Sequence, residues 1–230
     1  MGFISNMVDR RRVWSWLSEY PVYSPPFHDS ELVLSKSEIS ANFDYFLNQK
    51  AERLGFLARY LRLFSVELNL SAEALPALDD WLFRYGGHLI PNGGEVLAAM
   101  HDYEPAWVGE YHGINVIHDI SIFAGDYIVM NNKNVRWSVN YGDGTRRDYE
   151  ETGFGQPCLV GLSHFAYTGN YSIFHGIYEF CYAGRRRLRN GGKGAKWEWD
   201  SPGELVRRLN YLADADPPRQ IPISQLTMDD

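Results

Sequence analysis

Cysteine is scarce: the 230 residues hold two, Cys158 and Cys181. Two thiols exclude a disulfide framework and show no zinc-ligand spacing. They suit a reduced, cytoplasmic protein. Long apolar runs are missing too, so no stretch of about 18 residues reads as a membrane-spanning helix. The opening MGFISNMVDRRRVWSWL lacks the apolar core of a signal peptide. Asn6 stands where a myristoylation start needs Ser or Thr. Neither GxGxxG nor GxxxxGK[ST] occurs, so no phosphate-cradling glycine loop is recognisable. GxSxG and HExxH are absent as well, which removes the motif basis for a serine elbow or a zinc-protease helix.

Positive charge is in deficit, with 22 Lys and Arg against 29 Asp and Glu, a net charge of −7. That balance disfavours nucleic acid as the default partner and suits a basic protein better. What the chain has in quantity is aromatic residues: 15% of positions, including seven Trp and fifteen Tyr. Rings at that density build a core of large side chains or an aromatic contact surface. Hydrophobic content of 45% and charged content of 22% are ordinary for a folded globular protein. A chain of this length buries most of its apolar surface without staples.

The most informative stretch is 110–137, because its period changes partway. Val116, Ile120, Phe123 and Tyr127 recur four, three and four residues apart, which is one face of a helix. After Asn131-Asn132-Lys133-Asn134 the pattern becomes Val135, Trp137, Val139, Tyr141, which is a strand. Upstream, a short helix is expected around Val13, Trp14, Trp16 and Leu17, then an irregular connector holding Pro21, Pro25 and Pro26. Ser35-Lys36-Ser37-Glu38 fits a capping box. The long helix after it carries Phe43, Phe46, Leu47, Leu54, Leu57, Leu61 and Phe64 on one side and Asn48, Glu52, Arg59 and Arg62 on the other.

Ser71 is placed to cap a further helix, but Pro76 lies a turn inside it, so the helix kinks or starts late. Its stripe is Leu78, Trp81, Leu82 and Tyr85, and Gly86-Gly87 is the stop. A short helix is expected over 95–100. Gly142-Asp143-Gly144 reads as a tight turn with a second strand at 145–151. Cys158, Leu159, Val160 and Leu162 after Pro157 read as a buried strand. Asn170 opens a helix with Ile173, Ile177, Phe180 and Cys181 on one face, and a basic, glycine-rich loop runs over 184–196. Trp197 and Trp199 suggest an edge strand. Ser201 and Pro202 start a last helix with Leu205, Leu209 and Leu212, and 213–230 reads as a loosely ordered tail. The order of elements predicts one α+β domain over 1–212: N-terminal helices on a small, mostly antiparallel sheet, with further C-terminal helices.

Several constellations bear chemistry. His112, His118 and Asp119, near Glu110, offer imidazole and carboxylate donors for a divalent metal, and with it a hydrolase-like activity. On a helix, however, His118 and Asp119 point about 100° apart, which suits a buried carboxylate and a partly exposed imidazole better. Cys158 with His164 is the one thiol–base pair, yet both cysteines sit in apolar runs and read as small core residues. Arg185, Arg186, Arg187, Arg189, Lys193 and Lys196 form a run of cations that could hold phosphates or nucleic acid, with Trp197 and Trp199 beside them to stack on bases. Asp102, Tyr103, Glu104, Trp107 and Glu110 combine acids and rings, as do Asp79, Asp80 and Trp81. Acids steer a basic partner's approach, and rings supply buried anchors.

Gly125-Asp126, Arg136-Trp137 and Gln156-Pro157 give a helix ending in Gly-acid, a Trp-bearing strand and a Gln-Pro step into the next strand. In this general outline 110–165 resembles small bacterial α+β domains of the kind that sit in toxin–immunity loci. The resemblance implies a non-enzymatic binding role and carries over no catalytic residue. Together these features lead to one expectation: a cytoplasmic protein-binding domain, of the immunity or inhibitor type, that occludes a partner through Asp102, Tyr103, Glu104, Trp107 and Glu110. No cofactor is called for, and the oligomeric state is left open.

Overall fold

The computed structural model describes residues 3–28, 34–92, 96–139, 141, 155–162, 170–191 and 201–214. Among them are seven α-helices and a three-stranded antiparallel sheet, the α+β architecture expected from the order of elements.

Helix α1 (Phe3–Leu17) faces inward through Asp9, Val13 and Leu17, each four residues apart. The connector that follows is irregular, as its prolines require. Helix α2 (Lys36–Arg62) begins at a complete capping box: the Glu38 amide donates to Ser35 Oγ at 3.3 Å, and Glu38 Oε2 accepts from the Ser35 amide at 2.7 Å. Its buried stripe runs Ile39, Asn42, Phe46, Arg53, Leu57, Tyr60 and Leu61. Leu47, read as part of that stripe, is exposed, and two polar residues lie within it instead.

Helix α3 (Leu75–Tyr85) takes the late start: Pro76 sits in the first turn, where its missing amide has no helical partner to lose. Leu78, Trp81, Leu82 and Tyr85 are all buried. The helix stops before Gly86 and tightens into a 3₁₀ turn, Gly86–His88. Helix α4 (Val96–Asp102) and a second 3₁₀ turn, Gly109–Tyr111, flank a loop that leads into α5 (Gly113–Asn131).

Helix α5 is the centre of the molecule, packed against α2, β1 (Arg136–Val139), α6 (Ile173–Arg189) and α7 (Glu204–Ala213). Beyond the expected face, Ile114, Ile117, Ile122 and Ile128 are buried too, so the helix is enclosed all round. That enclosure overturns the reading of His118 as partly exposed: it is buried, as is Asp119.

Strand β1 pairs with β2 (Pro157–Val160), with Trp137 opposite Leu159, and β2 pairs with β3 (Asn170–Tyr171). The turn at 142–144 and the strand expected at 145–151 lie outside the described residues, as does the Trp197/Trp199 strand. Helix α6 starts later than Asn170, because Asn170 and Tyr171 belong to the sheet and Ser172 Oγ caps the helix by accepting from the His175 amide at 3.3 Å. It also continues through Gly184 to Arg189, so the first four cations of the expected loop are helical. The reason lies in the 3₁₀ turn. A Cβ on Gly87 would stand 2.5 Å from the Gly184 carbonyl carbon, so two glycines bring the turn and helix backbones into contact.

The last helix also begins later than its sequence suggests. Gly203, with φ +83°, precedes α7, and Ser201 does not cap it with its side chain. The cap comes from α3: the Asp79 carboxylate accepts from the amides of Gly203 at 2.7 Å and Leu205 at 2.8 Å. Asp79 and Trp81 are therefore interior, not an exposed acid–ring pair. The tail expected from 213 begins inside α7, and from 215 onward it lies outside the described residues. One hydrophobic cluster spans all these helices, and Ile39 with Val139 adds a small patch joining α2 to β1.

Candidate functional site

Five of the eight residues singled out as partner or metal candidates, Tyr103, Trp107, His112, His118 and Asp119, lie at or beneath the start of α5. The other three, Asp102, Glu104 and Glu110, lie on the segment above them. The segment 102–111 crosses the molecule with alternating character. Tyr103 and Trp107 are buried, Asp102 is half-buried, and Glu104, Val108 and Glu110 are exposed. Tyr103 adopts φ +55°, the left-handed region that a bulky residue enters only under constraint. Its ring turns inward while the neighbouring Glu104 stays outside.

The rings brace this loop from below. Trp107 Nε1 donates to the Ala99 carbonyl at 2.7 Å, and the Trp107 carbonyl accepts from Asn115 Nδ2 at 2.8 Å. Tyr103 and Trp107 lie 5.3 Å apart centroid to centroid, and Tyr23 stacks on Trp107 at 5.7 Å. Trp107 is 1% exposed and Tyr103 8%. The expectation that these rings reach into a partner is therefore corrected: they anchor the loop to its own core. His28 Nδ1 lies 3.9 Å from Glu104 Oε1, and Val108, between Glu104 and Glu110 in sequence, is half-exposed.

Below the rings is a buried polar cluster. Asp119 accepts from Arg53 Nε at 2.8 Å, from the Tyr20 hydroxyl at 2.6 Å and from His118 Nδ1–H at 3.1 Å. Arg53 also donates to the Pro21 carbonyl at 2.8 Å, and His112 Nε2–H donates to the Tyr20 carbonyl at 2.7 Å. The Tyr23 amide donates to Asn115 Oδ1 at 2.7 Å. The cluster thus fastens the connector 20–23 to α5. Burial is the largest influence on His118 and holds its imidazole below the ordinary range, against the opposing pull of Asp119. Burial, reinforced by Asp119, also keeps the Tyr20 phenol protonated far above neutrality.

This geometry reassigns the metal candidates. His118 and Asp119 touch each other, whereas His112 turns its Nε2 to a backbone carbonyl. No group of three or more His, Cys, Asp or Glu among the described residues is placed to hold a metal ion. Cys158 and Cys181 are buried free thiols, with Cys158 pushed up to about 12 by burial and Cys181 also raised.

The basic candidates lie elsewhere, at the end of α6. Arg187 stacks over Phe83 at 3.6 Å and donates to the Phe83 carbonyl, while Arg185 donates to Asn92 Oδ1. Arg186 is half-buried and Arg189 exposed. Lys193 and Lys196 lie outside the described residues.

Two residues central to the buried cluster, Arg53 and Tyr20, were not singled out from sequence. The signal existed. Arg53 falls seven residues after Phe46 on a mostly apolar stripe, and Asp119 interrupts an apolar helix. A charge of each sign inside two buried faces implies a buried pair.

The motifs behind the bacterial resemblance also acquire a structural role. The Trp137 indole packs against Gly125, where a Cβ would meet ring carbon Cζ2 at 2.1 Å. Its Nε1 donates to Asp126 Oδ1 at 2.7 Å, and Lys50 pairs with the same carboxylate. Gln156 Nε2 donates to the Met100 carbonyl at 2.7 Å just before β2. No family model matches the chain, and no curated protein or solved structure matches it either.

Proposed function

We propose that this chain is a protein-binding domain that works by occlusion, in the manner of an immunity protein or inhibitor, in a bacterial cytoplasm. The partner is a protein with a basic face, and it docks on the acidic segment 102–110. The observation that carries this reading is the construction of that segment. Tyr103 and Trp107 fix it from beneath, and the same fixing turns Glu104, Val108 and Glu110 outward. A preset loop loses little freedom on binding, which favours affinity. Carboxylates around one apolar side chain suit a cationic surface with a shallow apolar centre.

The test is capture of partners from the producing cell, then measurement of the dissociation constant with each. The double reversal Glu104→Lys, Glu110→Lys is expected to weaken binding at least tenfold, mainly through slower association, and to flatten its salt dependence. Exposed residues are changed, so circular dichroism should be unaltered. An unchanged constant in the reversed variant would remove this face from the proposal.

A further inference from the structure

The second gathering of unusual side chains lies away from the acidic loop, where α1, the 3₁₀ turn 86–88 and α6 meet. The glycine contact described above sets Gly87 against the Arg185 amide: a Cβ there would stand 2.6 Å from that nitrogen. The next residue, His88, is therefore held beside the start of the arginine run. From the other side, Trp14 Nε1 of α1 donates to the His88 carbonyl at 3.1 Å. Arg10, one turn earlier on α1 and exposed, comes close enough to act electrostatically on both His88 and Arg185. Helix α1, the 3₁₀ turn and α6 thus meet at one junction.

His88 is 5% exposed, and neither ring nitrogen has a hydrogen-bond partner. Arg185 Nε is also buried and unpartnered. Such groups cost free energy unless something supplies acceptors. The carboxylate that acts on His88 does not: Asp9 is held by Arg84 through two bonds, at 3.1 and 2.8 Å. Burial and the positive charges of Arg189 and Arg10 all disfavour the charge on Arg185, although the chain as a whole is acidic. A concentration of positive charge with idle N–H donors is the chemistry of an anion site. Guanidinium groups match the tetrahedral oxygens of a phosphate better than they match chloride.

We propose that this junction binds a phosphate-bearing small anion, with Arg10, Arg185 and His88 as its ligands and Arg189 at its rim. The site is independent of the partner face at 102–110. It also differs from the cation loop read from sequence, because half of its donors come from α1 and the 3₁₀ turn. Seating the anion requires Arg185 to swing its guanidinium off Asn92, an exposed and uncharged partner. The bound anion would give His88 an acceptor and favour its protonated form.

Titration calorimetry with inorganic phosphate and with phenyl phosphate, at constant ionic strength made up with chloride, tests the assignment. Saturable binding of both is expected, weakened at least tenfold in Arg10→Gln and in Arg185→Gln. Arg62→Gln, an exposed arginine paired with Glu67, should bind like the unmodified protein. Binding of inorganic phosphate alone would confine the ligand to the free ion. The His88 ring resonances are expected to move on saturation. If Arg185→Gln unfolds, Arg10→Gln decides, since its side chain is exposed. Binding that never saturates, that survives Arg10→Gln, or that falls equally in Arg62→Gln would overturn the proposal.

Discussion

Replacing Asp119 by Ala is the sharpest test of the buried cluster. The carboxylate is fully buried and accepts from Arg53 Nε, the Tyr20 hydroxyl and His118 Nδ1. Removing it leaves a buried guanidinium with the Pro21 carbonyl as its hydrogen-bond acceptor. Breaking one side of such a pair costs about 3–5 kcal/mol. For a chain of this size that lowers the melting temperature by roughly 6–20 °C. Removing both charges, in Arg53→Met with Asp119→Leu, leaves no orphaned ion and is expected to be less damaging than Asp119→Ala. Recovery is incomplete, because the Pro21 carbonyl loses its donor. Urea unfolding followed by tryptophan emission, with seven indoles as probes, gives both values. A double-mutant cycle through the single variants Arg53→Met and Asp119→Leu should show a coupling of at least about 1.5 kcal/mol. A loss below about 1 kcal/mol in Asp119→Ala, or strictly additive costs, would refute the assignment of Asp119 as the keystone of the cluster.

Gly125→Ala drives a methyl group into the Trp137 indole and is expected to cost about 1–3 kcal/mol, with a changed tryptophan spectrum; an unaltered melting temperature would contradict the contact. His88 is lowered to about 4, mainly by burial, with Arg185 and Arg10 adding to the shift and Asp9 opposing it. Its contribution to stability is complete above about pH 6.5 and is lost as pH falls toward 4, on the order of 3 kcal/mol across the window. In phosphate-free buffer, His88→Leu should unfold with a shallower acid dependence between those limits, and parallel curves for the two proteins would argue against it.

Local chemistry was legible in the sequence; long-range pairing was not. The Ser35–Glu38 capping box, the late start at Pro76 and the helix-to-strand change after Asn131 depend on residues within a few positions, and each is present. What escaped depends on partners far along the chain. The α7 start could not be placed from Ser201 and Pro202, because its cap is a carboxylate 124 positions away on α3. The arginine run looked like a loop because Gly184 reads as a helix stop, whereas here it is the gap into which Gly87 fits. For the candidate site, the right segment was visible, but not the direction of its rings. Composition marks Tyr103 and Trp107 as anchors without saying whether they hold a partner or their own loop.

Asn115 gives one side chain two duties. Its oxygen receives the Tyr23 amide of the connector, and its nitrogen holds the Trp107 carbonyl under the acidic face. The underside of the proposed docking surface and the strap leading from α1 therefore share a single hinge pin. Solvent deuterium should reach the Tyr23 amide more slowly once the outer face is covered, so an interior proton becomes a gauge of occupancy outside.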